Sequence, residues 1–228
     1  MLVIGHRGAK GKGTRNTIEA MHHALAQGAD GLEFDVRLTR DEVPVIIHDN
    51  RLLFTRGINR TVDTLTYSEL RAITQKNPVP TLADVLDEFW GKTFLNIELK
   101  AAGSAAIVIS LLASRYILHV DDWEKCVIAS FKVKELKTAR SFAPQARLAL
   151  LHGNNPYRFI LYQRTLKFAA LGFHRHYTSL ISQGIAQRLG IFTYAYTVNR
   201  PKGARLLRER KIDAVISDYP RRIITGLK

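Results

Sequence analysis

The chain contains only one cysteine, Cys126, among its 228 residues. A lone cysteine cannot form an internal disulfide, and this usage is typical of proteins from a reducing compartment. Long apolar runs are also missing, because the longest, at residues 105–113, is far too short to cross a bilayer. No basic segment with a following apolar stretch precedes Gly5. We therefore expect no secretory leader and a cytoplasmic location.

Acidic residues are scarce in the second half of the chain. Residues 1–100 hold 13 Lys plus Arg and 13 Asp plus Glu, whereas residues 101–228 hold 21 and 7. The net charge of +14 therefore comes entirely from the second half. Such a basic surface attracts nucleic acid, anionic lipid or a small phosphorylated substrate, and it is equally typical of a solvated face without a partner.

Strand and helix patterns alternate along most of the chain. Eight strands of parallel type, with a hydrophobic content of 46%, predict one domain over residues 1–228 and favour a (β/α)₈ TIM barrel. A doubly wound open sheet is the alternative. We expect a hairpin and loop insertion at about residues 37–80, after the second strand. The predicted parallel strands begin near Ile4, Gly31, Phe94, Val127, Arg147, Ala170, Phe192 and Ala214. The helix after the first strand is predicted to extend to about Gln27, with Asn16 as its N-cap.

A barrel is favoured because polar residues follow several different strands. His6 follows the first strand, Glu33 and Asp35 end the second, and Glu98 and Lys100 end the next strand of the barrel. In a TIM barrel these carboxyl ends converge at one mouth. Later strands end in the same way, at Ser130, Asn199 and Asp218.

The alternation of the second strand puts Glu33 and Asp35 on one face. Two carboxylates kept ionised in a partly buried position need a cation between them, and with Glu98 they form an all-oxygen set suited to Mg²⁺ or Ca²⁺. The alternative is a group of ordinary surface carboxylates at strand ends. A short connection then predicts a hairpin with its bend between Asp41 and Glu42, which sets Asp35 opposite His48.

Five short motifs follow one another along the chain: His6-Arg7-Gly8, Asn16-Thr17, Glu33-Phe34-Asp35-Val36, His48-Asp49 and Glu98-Leu99-Lys100. In order and in spacing, these motifs resemble those of the glycerophosphodiester phosphodiesterase family. The resemblance implies a TIM barrel, a divalent metal bound by Glu33, Asp35 and Glu98, and two catalytic histidines, His6 and His48.

Cleavage of a phosphodiester needs a base for the attacking oxygen and an acid for the departing alkoxide. Imidazole titrates near neutral pH, so His6 and His48 suit both roles, although a single histidine is often only structural. Arg7 and Lys100 supply positive charge for the phosphoryl oxygens, or else they neutralise the neighbouring carboxylates. The two interpretations of Arg7 and Lys100 are compatible.

Three positions depart from the pattern of the family. Arg15 stands where a glutamate is expected, so it either weakens the support of Arg7 or the metal, or adds a phosphate contact. Tyr196 replaces a tryptophan before Thr197, and Phe54 stands where an arginine often follows the His-Asp pair. These departures affect the expected substrate preference more than the reaction.

The main hypothesis is a metal-dependent phosphodiesterase that converts a glycerophosphodiester to glycerol phosphate and an alcohol. Water attacks directly, or the neighbouring glycerol hydroxyl attacks first to give a cyclic phosphate. One alternative is a lysophospholipase D-type enzyme, for which the basic second half and Phe54 face an anionic membrane. Another is a basic barrel that binds anionic ligands without turnover. Nucleic acid is not an expected partner of the main hypothesis.

Overall fold

The computed structural model describes residues 1–11, 14–53, 57–176 and 179–228. Eight parallel strands form a closed ring, because β1 pairs with both β2 and β9. This confirms the TIM barrel, and the open-sheet alternative is wrong. The strands are β1 Leu2–His6, β2 Gly31–Leu38, β3 Pro44–Ile46, β4 Phe94–Leu99, β5 Cys126–Ser130, β6 Leu148–His152, β7 Ala170–His174, β8 Phe192–Tyr196 and β9 Ala214–Ser217.

Helices connect the parallel strands and cover the outside of the ring. Short 3-10 helices occupy Val62–Thr64 and Val120–Lys125. The final helix was not predicted from the sequence. The α-helices in the described residues are α1 Ile18–Ala26, α2 Tyr67–Ile73, α3 Leu82–Phe89, α4 Ser104–Arg115, α5 Val133–Phe142, α6 Ile160–Leu166, α7 Leu180–Arg188, α8 Pro201–Glu209 and α9 Pro220–Leu227.

The barrel has an inner and an outer apolar layer. The inner cluster contains strand residues only, many of them small, such as Ala129, Ala149 and Ala214 beside the buried ring of Tyr194. The larger outer cluster joins strands to helices. Since strand side chains alternate between faces, the same alternation that fills the barrel brings polar residues to its mouth.

The antiparallel strand β3 pairs with β2 in a register that differs from the prediction. Val36 lies opposite Ile46 and Leu38 opposite Pro44, so Asp35 lies opposite Ile47 and not His48. The reason is the turn, in which the Glu42 amide donates to the Thr39 carbonyl and Glu42 adopts a φ of 61°. A loop of three residues with a left-handed last residue shifts the pairing by one position. His48 therefore lies beyond the end of β3.

The start of α1 also differs from the prediction. Thr17 is the N-cap, and its hydroxyl accepts a hydrogen bond from the Ala20 amide. Asn16, which we expected to cap this helix, instead has a left-handed backbone with a φ of 62°. Asparagine adopts this conformation more readily than most residues. Its side chain is thereby free of the helix and turns toward β2.

The described part of the chain contains no helix with both the length and the apolar character needed to cross a membrane. Phe54, on which the membrane-facing alternative partly depended, lies outside the described residues.

Candidate active site

Three buried carboxylates from two adjacent strands meet at the mouth of the barrel. In the parallel register, Asp35 of β2 lies opposite Glu98 of β4, and Glu33 lies two residues before Asp35 on the same face. One oxygen from each carboxylate lies within 4.8 Å of the other two. The exposed fractions of Glu33, Asp35 and Glu98 are only 4%, 0% and 7%. The structure thus brings together the three predicted metal ligands.

Burial of these like charges changes their protonation. Burial, followed by the charges of Asp35 and Glu98, raises the pKa of Glu33 well above its usual value. Burial and the charge of Asp35 raise the pKa of Glu98 to about 7. Burial also acts to raise the pKa of Asp35, but Arg7 and Lys100 outweigh it and hold this pKa below its usual value. Burial therefore disfavours the ionised forms of Glu33 and Glu98, and nearby cations stabilise the negative charge of the cluster.

Arg7 and Lys100 are the cations that contact the cluster. Nε of Arg7 lies 2.8 Å from Oδ2 of Asp35. Nζ of Lys100 lies 2.5 Å from Oε1 of Glu98 and 3.3 Å from Oδ1 of Asp35. The predicted neutralising role of both residues is therefore visible in the structure. Both side chains also line the site cavity.

The turn after β1 fixes Arg7 and Asn16 against Asp35. The amide of Arg7 donates to the carbonyl and to the Oε2 atom of Glu33, at 2.8 and 3.0 Å. The Asn16 amide donates to the Arg7 carbonyl, and its Nδ2 atom donates to Oδ2 of Asp35 at 2.9 Å. Both residues have left-handed backbones, with φ values of 55° and 62°. Such strained positions are common at functional sites, where the surrounding contacts hold them.

His6 is oriented by an aspartate from the other end of the chain. Its Nδ1 atom donates to Oδ1 of Asp218 at 2.7 Å, while Nε2 lies 4.0 Å from Oε2 of Glu33. Asn199 donates to Oδ2 of Asp218 at 2.7 Å and accepts from its amide. Burial lowers the pKa of His6, and the hydrogen bond that His6 donates to Asp218 partly opposes this effect. Arg15, the departure from the family pattern, places Nη1 3.4 Å from the same Asp218 oxygen.

His48 reaches the site from the segment after β3. Its Nδ1 atom lies 2.6 Å from Oδ1 of Asp49, and its carbonyl accepts a 2.6 Å hydrogen bond from Nε of Arg37. Burial lowers the pKa of His48, against the charge of Asp35. Both predicted histidines therefore pair Nδ1 with an aspartate, which leaves Nε2 of each imidazole available for a substrate proton.

Six of the seven predicted site residues border one cavity of about 200 Å³. They are His6, Arg7, Glu33, His48, Glu98 and Lys100, whereas the buried Asp35 does not border it. Asn96 and Phe131 also line the cavity. Tyr196, which replaces the expected tryptophan, lies on its wall and donates from its hydroxyl to the His152 carbonyl at 2.6 Å.

Three contributions to the site could not be identified from the sequence. Asn16 holds Asp35, Asp218 holds His6, and Asp49 pairs with His48. The sequence did mark these three residues, because Asn16 and Asp49 belong to the motifs and Asp218 ends a strand. Which side chain each of them contacts depends on turn conformations and on side-chain positions that residue spacing does not specify.

The comparisons with known proteins agree with this geometry. The model of the Glycerophosphoryl diester phosphodiesterase family matches residues 6–222. A glycerophosphodiester phosphodiesterase of Caldanaerobacter subterraneus is 27% identical over 238 residues, which cover 98% of this chain and 96% of the relative. A mouse lysophospholipase D is 49% identical over 68 residues, which cover only 30% of this chain and 21% of that protein.

A solved structure gives the same result. The phosphodiesterase of Oleispira antarctica, in complex with the product sn-glycerol-3-phosphate, superimposes with a TM-score of 0.87 at 25% identity. The match covers 100% of this chain and 96% of the other. The family model covers most of the residues described above, including both histidines and the three carboxylates. The chain therefore belongs to the glycerophosphoryl diester phosphodiesterase family and is a phosphoric diester hydrolase.

Proposed function

We propose that this chain hydrolyses glycerophosphodiesters to sn-glycerol 3-phosphate and an alcohol, with a divalent cation held by Glu33, Asp35 and Glu98. One observation carries the proposal: three buried carboxylates lie within 4.8 Å of one another, and two of them, Glu33 and Glu98, border a cavity together with His6 and His48. The product bound to the Oleispira antarctica phosphodiesterase supports the choice of substrate. The proposal treats residues 1–228 as one catalytic domain, and the lone Cys126 favours a cytoplasmic location.

The donor set fits a hard cation. Glu33, Asp35 and Glu98 offer only oxygen atoms, which Mg²⁺ and Ca²⁺ prefer, and their mutual repulsion falls when a dication is bound. Once bound, the ion supplies Lewis acidity toward the phosphoryl oxygens. Arg7 and Lys100 hold additional positive charge at the same wall, where charge on the phosphoryl oxygens increases in the transition state.

The two imidazoles supply the proton transfers. One Nε2 atom removes a proton from the attacking oxygen, which belongs to water or to the neighbouring glycerol hydroxyl. The other Nε2 atom gives a proton to the departing alkoxide as its P–O bond breaks. If the glycerol hydroxyl is the attacking group, the product is a cyclic phosphate, and water then opens this ring to give glycerol 3-phosphate with the two proton transfers in reverse. Asp218 and Asp49 support both steps, because each accepts from Nδ1 and stabilises the charged imidazolium of His6 or His48.

A second candidate is a lysophospholipase D-type activity on lysophospholipids. The local identity to the mouse lysophospholipase D favours it. The chemistry at phosphorus would be the same, and only the group attached to glycerol would differ. The third possibility, a barrel that binds anions without turnover, is opposed by family membership and by the six predicted site residues that border the cavity.

Chelation tests the metal. We expect dialysis against EDTA to abolish release of glycerol 3-phosphate from glycerophosphocholine, and added Mg²⁺, Ca²⁺ or Mn²⁺ to restore it. Glu98→Gln should lower kcat/KM by at least about a hundredfold. Glu88→Gln, a half-exposed glutamate on α3, serves as the matched control and should retain full activity. Full activity after chelation would contradict the metal role.

Substrates with different leaving groups test the histidines. His6→Ala and His48→Ala should each lower kcat on glycerophosphocholine by about 10²–10⁴-fold, because each removes a proton transfer. On a p-nitrophenyl ester of glycerol 3-phosphate, whose leaving group needs no protonation, the variant without the acid should recover activity. The variant without the base should not. Equal losses on both esters for both variants would oppose separate acid and base roles.

Asp218 is tested as the residue that positions His6. Asp218→Asn should lower kcat by about a hundredfold with little change in KM, because the His6 imidazolium loses its partner charge. Asp30→Asn is the control, since Asp30 accepts a hydrogen bond from the Val3 amide at the opposite end of the barrel. Both variants should be compared by urea unfolding. A matching loss of activity in Asp30→Asn would indicate a general structural effect.

A further inference from the structure

Among the described residues, five large apolar side chains are exposed at or just before the start of two helices that follow neighbouring strands. Leu161 is 77% exposed, Leu180 63% and Ile181 68%. The Tyr157 hydroxyl lies 2.8 Å from the hydroxyl of Ser179, the N-cap of α7, so the segments that begin α6 and α7 are adjacent. We name this surface the apolar rim; it consists of Tyr157, Ile160, Leu161, Leu180 and Ile181.

The apolar rim lies at the mouth of the barrel. Helices α6 and α7 follow β6 and β7, so their first turns lie beside the carboxyl ends of these strands. The candidate active site occupies the same end of the ring, since His6 and Glu98 also lie at carboxyl ends of strands. Clusters of exposed apolar side chains beside an active site usually mark a surface that binds a protein, a membrane or a ligand.

A basic groove shares Thr197 with the active-site cavity. It has a volume of about 790 Å³, and its walls carry one acidic residue, Glu209, and the basic residues Arg175, Arg200, Lys202, Arg205 and Arg210. Arg175 belongs to the connection between β7 and α7, the helix whose first turn carries Leu180 and Ile181 of the rim. Its Nη1 atom donates to the carbonyl of Thr197, which lines both this groove and the active-site cavity.

We propose that the apolar rim and the basic groove together bind the surface of an anionic phospholipid bilayer. Aliphatic and tyrosine side chains bury themselves at the boundary of headgroups and acyl chains, while arginine and lysine contact the lipid phosphates. In this orientation the mouth of the barrel faces phosphodiesters that are anchored in the bilayer. Only this last consequence, access to lysophospholipids, rests on the function proposed above.

Charge distinguishes a bilayer from a second copy of this chain. A two-fold symmetric dimer through this face would bring the arginines and lysine of one groove close to those of the other, since an isologous contact repeats the same surface. An anionic bilayer instead presents the opposite charge to Arg175, Arg200 and Lys202. The excess of basic residues in the second half of the chain acts in the same direction.

Vesicle binding by the full chain tests the proposal. Co-sedimentation should be strong with vesicles of equal parts phosphatidylcholine and phosphatidylglycerol and at least about tenfold weaker with phosphatidylcholine alone. The double variant Leu161→Ser with Ile181→Ser should lose about tenfold or more in binding to the anionic vesicles. Arg200→Gln with Lys202→Gln should weaken binding to the anionic vesicles and leave the weak binding to phosphatidylcholine unchanged.

A matched control exists at the opposite end of the barrel. Leu118 and Val120 are 77% and 63% exposed and lie before β5, so Leu118→Ser with Val120→Ser removes similar apolar surface far from the mouth. This control should bind vesicles as the unaltered chain does. Equal binding by the rim variant, equal loss in the control, or no preference for anionic vesicles would overturn the proposal.

Activity and oligomeric state complete the test. All variants should hydrolyse soluble glycerophosphocholine at the same rate, whereas hydrolysis of lysophosphatidylcholine in anionic vesicles should fall in parallel with binding. Binding without any hydrolysis would refute the proposed phosphodiesterase function but leave the surface intact. A dimer in light scattering that the rim variant converts to a monomer would assign the apolar rim to a second copy and overturn the proposal.

Discussion

The burial of three carboxylates in one small volume is the constraint on which this site depends. Glu33, Asp35 and Glu98 are withdrawn from water and face one another, so their ionised forms repel with little screening. Arg7 and Lys100 compensate part of this charge, and both cations are themselves held in place by the cluster. The ion pairs of Arg7 and Lys100 with these carboxylates therefore lie at the mouth of the barrel, where the proposed chemistry takes place.

In the proposed mechanism the two histidines carry out the proton transfers, and each of them also pairs with a carboxylate. Each has a carboxylate at Nδ1, so Asp218 and Asp49 orient the imidazoles and favour their charged forms, while burial favours the neutral forms. The two effects oppose each other, and the proposed mechanism needs both histidines to gain and lose a proton near neutral pH. Arg15, the departure from the family pattern, contacts Asp218, the carboxylate that holds His6.

The closed ring was predictable because polar residues at the ends of separate parallel strands have to converge. That rule placed Glu33, Asp35 and Glu98 together from the sequence. Local backbone conformation limited the accuracy of the other predictions. The left-handed Glu42 shifted the hairpin register by one residue. The left-handed Asn16 contacts Asp35 and does not cap α1 as predicted. The predicted ring already implies that β1 pairs with β9, but residue spacing does not specify that the side chain of Asp218 contacts His6.

The central claim is that a divalent cation binds among the three buried carboxylates. Anomalous diffraction from crystals soaked in MnCl₂ tests it most directly, because it locates the ion without reference to activity. The account predicts a strong peak at about 2.0–2.6 Å from oxygens of Glu33, Asp35 and Glu98. A peak elsewhere in the barrel, or none at this cluster with Lys100 still paired to Glu98, would contradict it.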